Sequence, residues 1–291
     1  MILETLQEFK VTYDCIPCAI GSLIKLLNIN SINTAKKDEA MRGLLRYLSE
    51  MDYQQPPPEL GQEMHRIIRD IFGNPDPYKQ IKTEFNQLML SEYDKLRQEV
   101  EAATDAFNMA LRFAIAGNII DFGPNHHFDI NETIEQARSV ELAIDHSEML
   151  RSEIDSAGVI LYLGDNAGEI VMDRLFLETI NHPNVYFAVR GGPVINDVTI
   201  DDAQDVGMDK IATVVSNGQN APGILLKTIS EEFRKLFERA DLIISKGQGN
   251  YEGLANCQKN IYFLLMAKCE HVAAHIGVNR GDFVVINNLH K

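Results

Sequence analysis

The chain has 291 residues, 45% hydrophobic and 24% charged, the balance of an ordinary globular protein with room for one large domain or two modest ones. With 27 Lys and Arg against 42 Asp and Glu, its net charge of −15 argues against a nucleic-acid partner, because such binding rests on neutralising phosphates with basic side chains. The longest apolar runs, such as 261–267, are too short to span a bilayer, and the opening MILETLQEFK lacks the regions of an export signal, so a cytoplasmic setting with no membrane partner is expected.

Taken in chain order, the first element is a helix starting at Cys15-Ile-Pro-Cys18, with Asp14 as its cap. The Cys-x-x-Cys spacing suits a metal knuckle or a redox pair. The chain's other two cysteines, Cys257 and Cys269, form no second pair at matching spacing, so a closed zinc site is not spelled out. Reduced thiols and a structural role are expected, with Cys269 near Cys15 and Cys18 where the chain's ends meet, apart from any hard-metal site. Leu23, Leu26 and Leu27 share one helical face, as do Leu44, Leu45 and Leu48, and then Ile67, Ile68 and Ile71. Pro56-Pro57-Pro58 and Asn74-Pro75-Asp76-Pro77 separate these helices, and a long helix is expected from about Tyr78 to Ile115. Ala116-Gly117-Asn118-Ile119-Ile120-Asp121 reads as a helix end with a polar turn, or as a wall that brings Asn118 and Asp121 to a substrate. His126-His127 reads as a solvated loop pair. No strand is expected before residue 155.

From Gly158 onward short apolar runs alternate with amphipathic helices. Strands are expected over 159–163, 185–189, 212–215, 241–245, 261–265 and 283–286, with helices over 171–180 and 225–237 between them. This alternation predicts an α/β fold: an N-terminal helical domain (1–150) packed on a Rossmann-like α/β/α domain (151–291) with a mostly parallel sheet, the junction falling near 142–157.

The sharpest chemical signal is Gly164-Asp165-Asn166-Ala167-Gly168-Glu169, directly after the first expected strand. Ligands of open α/β sheets bind at the carboxyl ends of strands, and Asp165 and Asn166 there offer hard oxygen donors of the kind Mg²⁺, Mn²⁺ and Ca²⁺ prefer. A plain helix cap is the bland alternative. The second strand ends in Arg190-Gly191-Gly192-Pro193 and leads to Asn196-Asp197, and another strand ends in Lys246-Gly247-Gln248-Gly249-Asn250-Tyr251-Glu252. If the strands are parallel, Asp165, Arg190, Asp197 and Lys246 fall on one rim. Two carboxylates and an amide would then hold a metal, Lys246 and Arg190 would meet phosphate oxygens, and the loop glycines would admit a phosphate to backbone N–H groups. An acidic chain needs such local cations to bind phosphate at all. Neither a Gly-x-Gly-x-x-Gly fingerprint nor a Gly-Lys-Ser/Thr phosphate loop is present, which disfavours the usual nicotinamide and ATP sites. The Asp-x-Asp signature associated with an aspartyl-phosphate nucleophile is missing as well.

These motifs, in this order over nearly the whole chain, resemble the metal-dependent damage-control phosphatases, first catalogued as domain of unknown function 89. The stand-alone prokaryotic branch carries an N-terminal Cys-x-x-Cys, matched by Cys15 and Cys18. The family's Gly-Asn-x-x-Asp element matches Asn118 and Asp121, and its Asp-Asn-x-x-Glu element matches Asp165, Asn166 and Glu169, with Asp173 one turn on. Asn-Asp-x-Thr matches Asn196, Asp197 and Thr199, and Lys-Gly-x-x-Asn matches Lys246, Gly247 and Asn250. The resemblance implies a helical bundle on a Rossmann-like domain and a divalent metal (Mg²⁺, Mn²⁺, Co²⁺ or Ni²⁺) on Asp165, Asn166 and Asp197. It also implies hydrolysis of sugar phosphates, phosphopantetheine-like compounds or nucleotides, as in metabolite damage control. One branch has been described as a carboxyl methyltransferase, but no glycine-rich nucleoside loop stands here to support that.

The expected reaction is metal-assisted hydrolysis of a phosphomonoester, with Lys246 neutralising the transferred group and Glu169, Asp121 or Asp202 accepting the water's proton. Asn118, Asp121, Arg190, Gly247 and Asn250 are the expected substrate contacts. A non-catalytic, metal-gated binder of phosphorylated metabolites would use the same residues. Oligomeric state is not legible.

Overall fold

Runs of Ile, Val, Leu and aromatic residues favour the pleated, buried strand environment, and here they line up in one sheet. The structure, a computed structural model, describes residues 9–29, 32–117, 130–139 and 141–290. The strands are β1 (Leu142–Asp145), β2 (Ile160–Leu163), β3 (Val185–Val189), β4 (Thr213–Ser216), β5 (Leu242–Lys246), β6 (Ile261–Met266) and β7 (Phe283–Asn287). They form a seven-stranded sheet in the order β1-β7-β6-β5-β2-β3-β4. β2 through β6 are mutually parallel, whereas β7 runs antiparallel to β6 and β1 follows β7. The expected α/β class and mostly parallel sheet are therefore present. β1 corrects the expectation that no strand precedes residue 155. It is a four-residue edge strand with alternating half-burial, too short for its pattern to stand out from the helices around it.

Both sheet faces are covered, as a parallel sheet requires. On one face lie α4 (Lys79–Ala102), α5 (Ala106–Ala116), α6 (Ile130–Ser139), α7 (Ser147–Ser156) and α8 (Glu169–Ile180), sharing a core with Tyr162, Phe187, Ile244 and Val285. The other face packs α10 (Glu231–Arg239), α11 (Gln248–Leu254) and α12 (Glu270–Ile276) against Leu161, Ile243, Phe263 and Val284. Burying each such side chain contributes about 1.5–3 kcal/mol, so the strand ends, and the loops they carry, rest on a rigid base. α1 (Cys15–Ile29), α2 (Thr34–Glu50) and α3 (Pro57–Phe72) build a third core around Leu23, Leu26, Leu44 and Ile68. Prolines at the start of α3 and Gly73 in the left-handed conformation after it set its limits.

The long helix expected over 78–115 is two helices. Ala103 turns extended, and Asp105 restarts the chain by accepting a hydrogen bond from Asn108 N at 3.1 Å. The helix expected over 225–237 is confined to α10, whose cap is Ser230. The short helix α9 (Ile200–Asp205) was not anticipated.

Candidate active site

The chain leaves β2 for β3 and β4 on one side, then returns to β5 on the other side of β2. Loops after β2 and β5 therefore diverge at a switch point, where open α/β sheets leave a crevice. Asp165 follows β2, and Gly247 follows β5 with φ +77°. A Cβ at Gly247 would overlap Asp165 Oδ2, so only glycine lets these two loops close. The loop after β3 crosses over to them: Asp197 bridges Asn166 in antiparallel fashion, Val198 N donates to Asp165 O at 2.9 Å and Ala167 N donates to Asn196 O at 2.9 Å. Just before them Ile195 sits at φ +44°, a strained conformation for a β-branched residue of the kind that clusters at functional loops.

These loops floor a cavity of about 540 Å³ lined by Asp165, Asn166, Asn196, Asp197 and Gly249, with Cys18, Ser22 and Lys25 of α1 and Lys268 and Arg280 among its other walls. A smaller cavity of about 280 Å³ beside Phe9, Leu225 and Cys257 shares none of these carboxylates.

Beneath the floor lies a buried charge network. Arg190 donates from Nε to Asp197 Oδ2 at 2.6 Å, from Nη2 to Asp165 Oδ1 at 3.5 Å and from Nη1 to Asn250 Oδ1 at 3.0 Å. Asn166 Nδ2 donates to Asp165 Oδ2 at 2.7 Å and to Glu169 Oε2 at 2.9 Å. Lys246 Nζ donates to Glu169 Oε1, Asp173 Oδ1 and Ala114 O, each at 2.6 Å. Lys246, Glu169 and Asp173 have 0% exposure. The four carboxylates thus bridged outnumber Arg190 and Lys246 by two formal negative charges. Burial first, then the charges of Glu169 and Asp197, push the Asp165 carboxyl up to about 8 against the opposing pull of Arg190 and Lys268. Burial likewise raises Asp197, offset by Arg190, and lifts Asp173 to about 6. Burial alone would lower Lys246, but Asp173 and Glu169 outweigh it and hold the ammonium charged.

The donor set fits a hard divalent ion. Among the described residues no three His, Cys, Asp or Glu side chains are placed to hold one; the candidate donors on the cavity floor are two carboxylates and an amide, a set that suits an ion that keeps several waters. The formal excess of two negative charges, with burial raising Asp165, Asp173 and Asp197, is charge that such an ion would neutralise.

Several expectations about single residues are corrected by this geometry. Lys246 does not face the cavity, because all three of its N–H groups are taken inside the core. Arg190 likewise spends its guanidinium on Asp165, Asp197 and Asn250. Asn250 is buried, its amide donating to Lys246 O at 2.8 Å, so it braces the loop after β5. Glu169 is sealed between Lys246 and Asn166, and Asp202 accepts from Lys82 Nζ, Thr199 N and Thr199 Oγ1, which removes both from the role of exposed proton acceptor. Asn118, Asp121 and the His126-His127 pair lie outside the described residues. Gly117 does not end its helix in a left-handed turn; its φ is −52°, and a Cβ there would come within 3.0 Å of Glu169 Cγ, so close packing explains the glycine. Cys18 lines the cavity rather than standing apart from it. The charges of Cys15, Glu252 and Cys269 all act on its thiol, which burial raises above its ordinary value.

Sequence reading missed Lys82 and Asn86 of α4. Lys82 pairs with Asp202 at 2.8 Å and Asp76 at 2.9 Å, and Asn86 Oδ1 accepts from Gly168 N at 2.6 Å. The signal was available, since both fall on the buried stripe continued by Met89, Tyr93, Leu96 and Val100. Lys268 and Arg280 had no such signal.

Known proteins resemble the chain over nearly its whole length. A family model described as the damage-control phosphatase ARMT1-like domain matches residues 11–284. The chain is 35% identical over 292 residues to an uncharacterized Methanocaldococcus jannaschii protein, covering 96% of each. It is 35% identical over 283 residues to a protein of Archaeoglobus fulgidus named a damage-control phosphatase, covering 94% of this chain and 98% of that one. A crystal structure of a domain-of-unknown-function-89 family protein from Pyrococcus horikoshii superposes with a TM-score of 0.88 at 32% identity, covering 96% of this chain and 99% of that one.

Proposed function

Because the chain belongs to the damage-control phosphatase ARMT1-like family, we propose that it hydrolyses small phosphorylated metabolites with a divalent ion held by Asp165, Asn166 and Asp197. The observation that carries this reading is the network beneath the cavity floor, whose carboxylates outnumber its cations by two. When bound, such an ion polarises a phosphoryl oxygen and lowers the pKa of a coordinated water. The chain's own residues supply the frame. Arg190 fixes the mutual orientation of Asp165 and Asp197. Lys246 donates to Glu169, Glu169 holds the Asn166 amide, and Asn166 braces Asp165, so a hydrogen-bonded chain runs from the core to the cavity. Supporting contacts of this kind typically matter 10- to 100-fold in affinity or rate, roughly.

Sugar phosphates, phosphopantetheine-like compounds and nucleotides are the substrate classes to test, with Mg²⁺, Mn²⁺, Co²⁺ and Ni²⁺ as metals. The experiment is a release assay of inorganic phosphate from p-nitrophenyl phosphate and a metabolite panel, with each metal and with a chelator. Metal-dependent turnover is expected, and Asp165→Ala should lower it on the order of 10²-fold or more while the protein stays folded. Full activity of that variant would remove Asp165 from the site. Tight binding of a panel member without turnover would instead establish a binding protein.

A further inference from the structure

The cavity is asymmetric in charge. Asp165, Asn166 and Asp197 form its floor and are at most 9% exposed, while Lys268 and Arg280 stand exposed on another wall. In a fully parallel sheet only the loops that follow strands reach the ligand rim. Here β7 is antiparallel to β6, so the loop that precedes β7 arrives there as well, next to the loop that follows β6. The two loops are stitched together: Ala267 N donates to Asp282 O at 2.9 Å and Gly281 N donates to Ala267 O at 2.8 Å. Lys268 and Arg280 thus flank one short, hydrogen-bonded junction.

Among the described residues, their side chains differ from those of Lys82, Arg190 and Lys246 in having no hydrogen-bonded or ion-paired partner. Lys82, Arg190 and Lys246 are each saturated by carboxylates. Among the described residues the side chains of Lys268 and Arg280 make no hydrogen bond and no ion pair, although the chain has 42 acidic residues to offer. Lys268 is close enough for its charge to oppose the upward shift of Asp165. Both cations line the same cavity as the floor, so the rest of a molecule whose phosphoryl group sits at the floor can reach them. The cavity, at about 540 Å³, is in the range that holds a whole small metabolite.

We propose that Lys268 and Arg280 form a second anion subsite, so that the preferred substrates are phosphomonoesters carrying a further phosphate or carboxylate group. This rests on the phosphatase reading above and narrows its substrate class. Two cations held at one wall of a cavity present charge-assisted donors to an anion whose position the floor already fixes.

The test compares matched pairs with the metal present: glucose 1-phosphate against glucose 1,6-bisphosphate for a second phosphate, and glycerol 2-phosphate against 2-phosphoglycerate for a carboxylate. For at least one pair the doubly anionic member should have the higher kcat/KM. That selectivity ratio should fall about tenfold or more, mainly through KM, in Lys268→Met with Arg280→Met, and should be largely kept by Lys268→Arg with Arg280→Lys. The pair that responds identifies the second group. A ratio unchanged by the Met variant for both pairs, or a wild-type preference for the singly anionic member of both, overturns the subsite. If no compound is turned over with any metal, the phosphatase reading fails separately. Calorimetry then still decides the subsite, with methylphosphonate and 3-phosphonopropionate as probes: tighter binding of the second, lost in the Met variant, supports it, and equal binding refutes it.

Discussion

Lys246 shows how far a single residue's position and its role can part. Its place at the end of a strand was readable, and its charge suggested a phosphate contact. In the fold it ties the end of β5 to α5 and to two carboxylates of α8, through Ala114, Glu169 and Asp173. Removing one member of a buried ion-pair group strands the others in a medium that penalises their charge. Lys246→Met should therefore lower stability by about 3–5 kcal/mol, measured by urea unfolding at neutral pH. A loss below about 1 kcal/mol would mean that the contacts of this lysine with Glu169, Asp173 and Ala114 do not hold the core together. Gly247 makes the complementary point. The Lys-Gly step is plain in the sequence, but its reason, the approach of Asp165, belongs to another loop.

Among the elements, α4 works as a clamp over the site. Its buried stripe packs on α8, and its first two turns send Lys82 to Asp202 and Asn86 to Gly168 N. Asp202 is also the reciprocal cap of α9 through Thr199, two residues beyond Asp197. Lys82→Met removes the charge that answers Asp202 and Asp76, so the loop carrying Asp197 loses one of its ties to α4. Amide hydrogen exchange should quicken over residues 197–206 while the amides of β5 keep their protection. Unaltered protection over 197–206 would show that the loop stands without the clamp. The periodicity of α4 was legible, but its break was not. The Ala103-Thr104-Asp105 corner contains neither Gly nor Pro, and Asp105 reads as an ordinary helix surface residue until Asn108 N is found on its side chain.

At the scale of the molecule, the site's excess of negative charge links stability to pH. Burial raises Asp165 to about 8 and Glu252 to about 7. Between the unfolded and folded pKa of such a carboxyl the native state holds a proton that the unfolded chain releases, so stability falls as pH rises. His65, buried and pushed down to about 3, has the opposite slope, but its contribution is complete above its ordinary value of 6.5. Glu63, Glu99 and Asp105, held low by Arg66, Arg138 and Arg151, change only below about pH 4.5. Metal-free protein should thus lose thermal stability from about pH 6.5 to 8. Added Mg²⁺ or Mn²⁺ should raise Tm more at pH 8 than at pH 5, as scanning calorimetry in chelator and in metal would register. A rising Tm over that window without metal would contradict the burial of Asp165.

The class of fold was legible in the order of residues, because β-branched runs separated by amphipathic helices leave few arrangements other than a covered, mostly parallel sheet. That order also located the loops after β2, β3 and β5, since Asp, Asn and Gly at strand ends combine turn chemistry with oxygen donors. Which charges face the cavity and which face one another depends on how the loops pack in three dimensions. Arg190 and Lys246 look no different in sequence from Lys268 and Arg280. The first two end strands of the sheet's buried middle, where an uncompensated cation is costly, and so they turn to carboxylates. The other two flank the junction between β6 and the antiparallel β7 at the rim, where water can reach them. Burial and strand direction, which are properties of the assembled sheet, made that division.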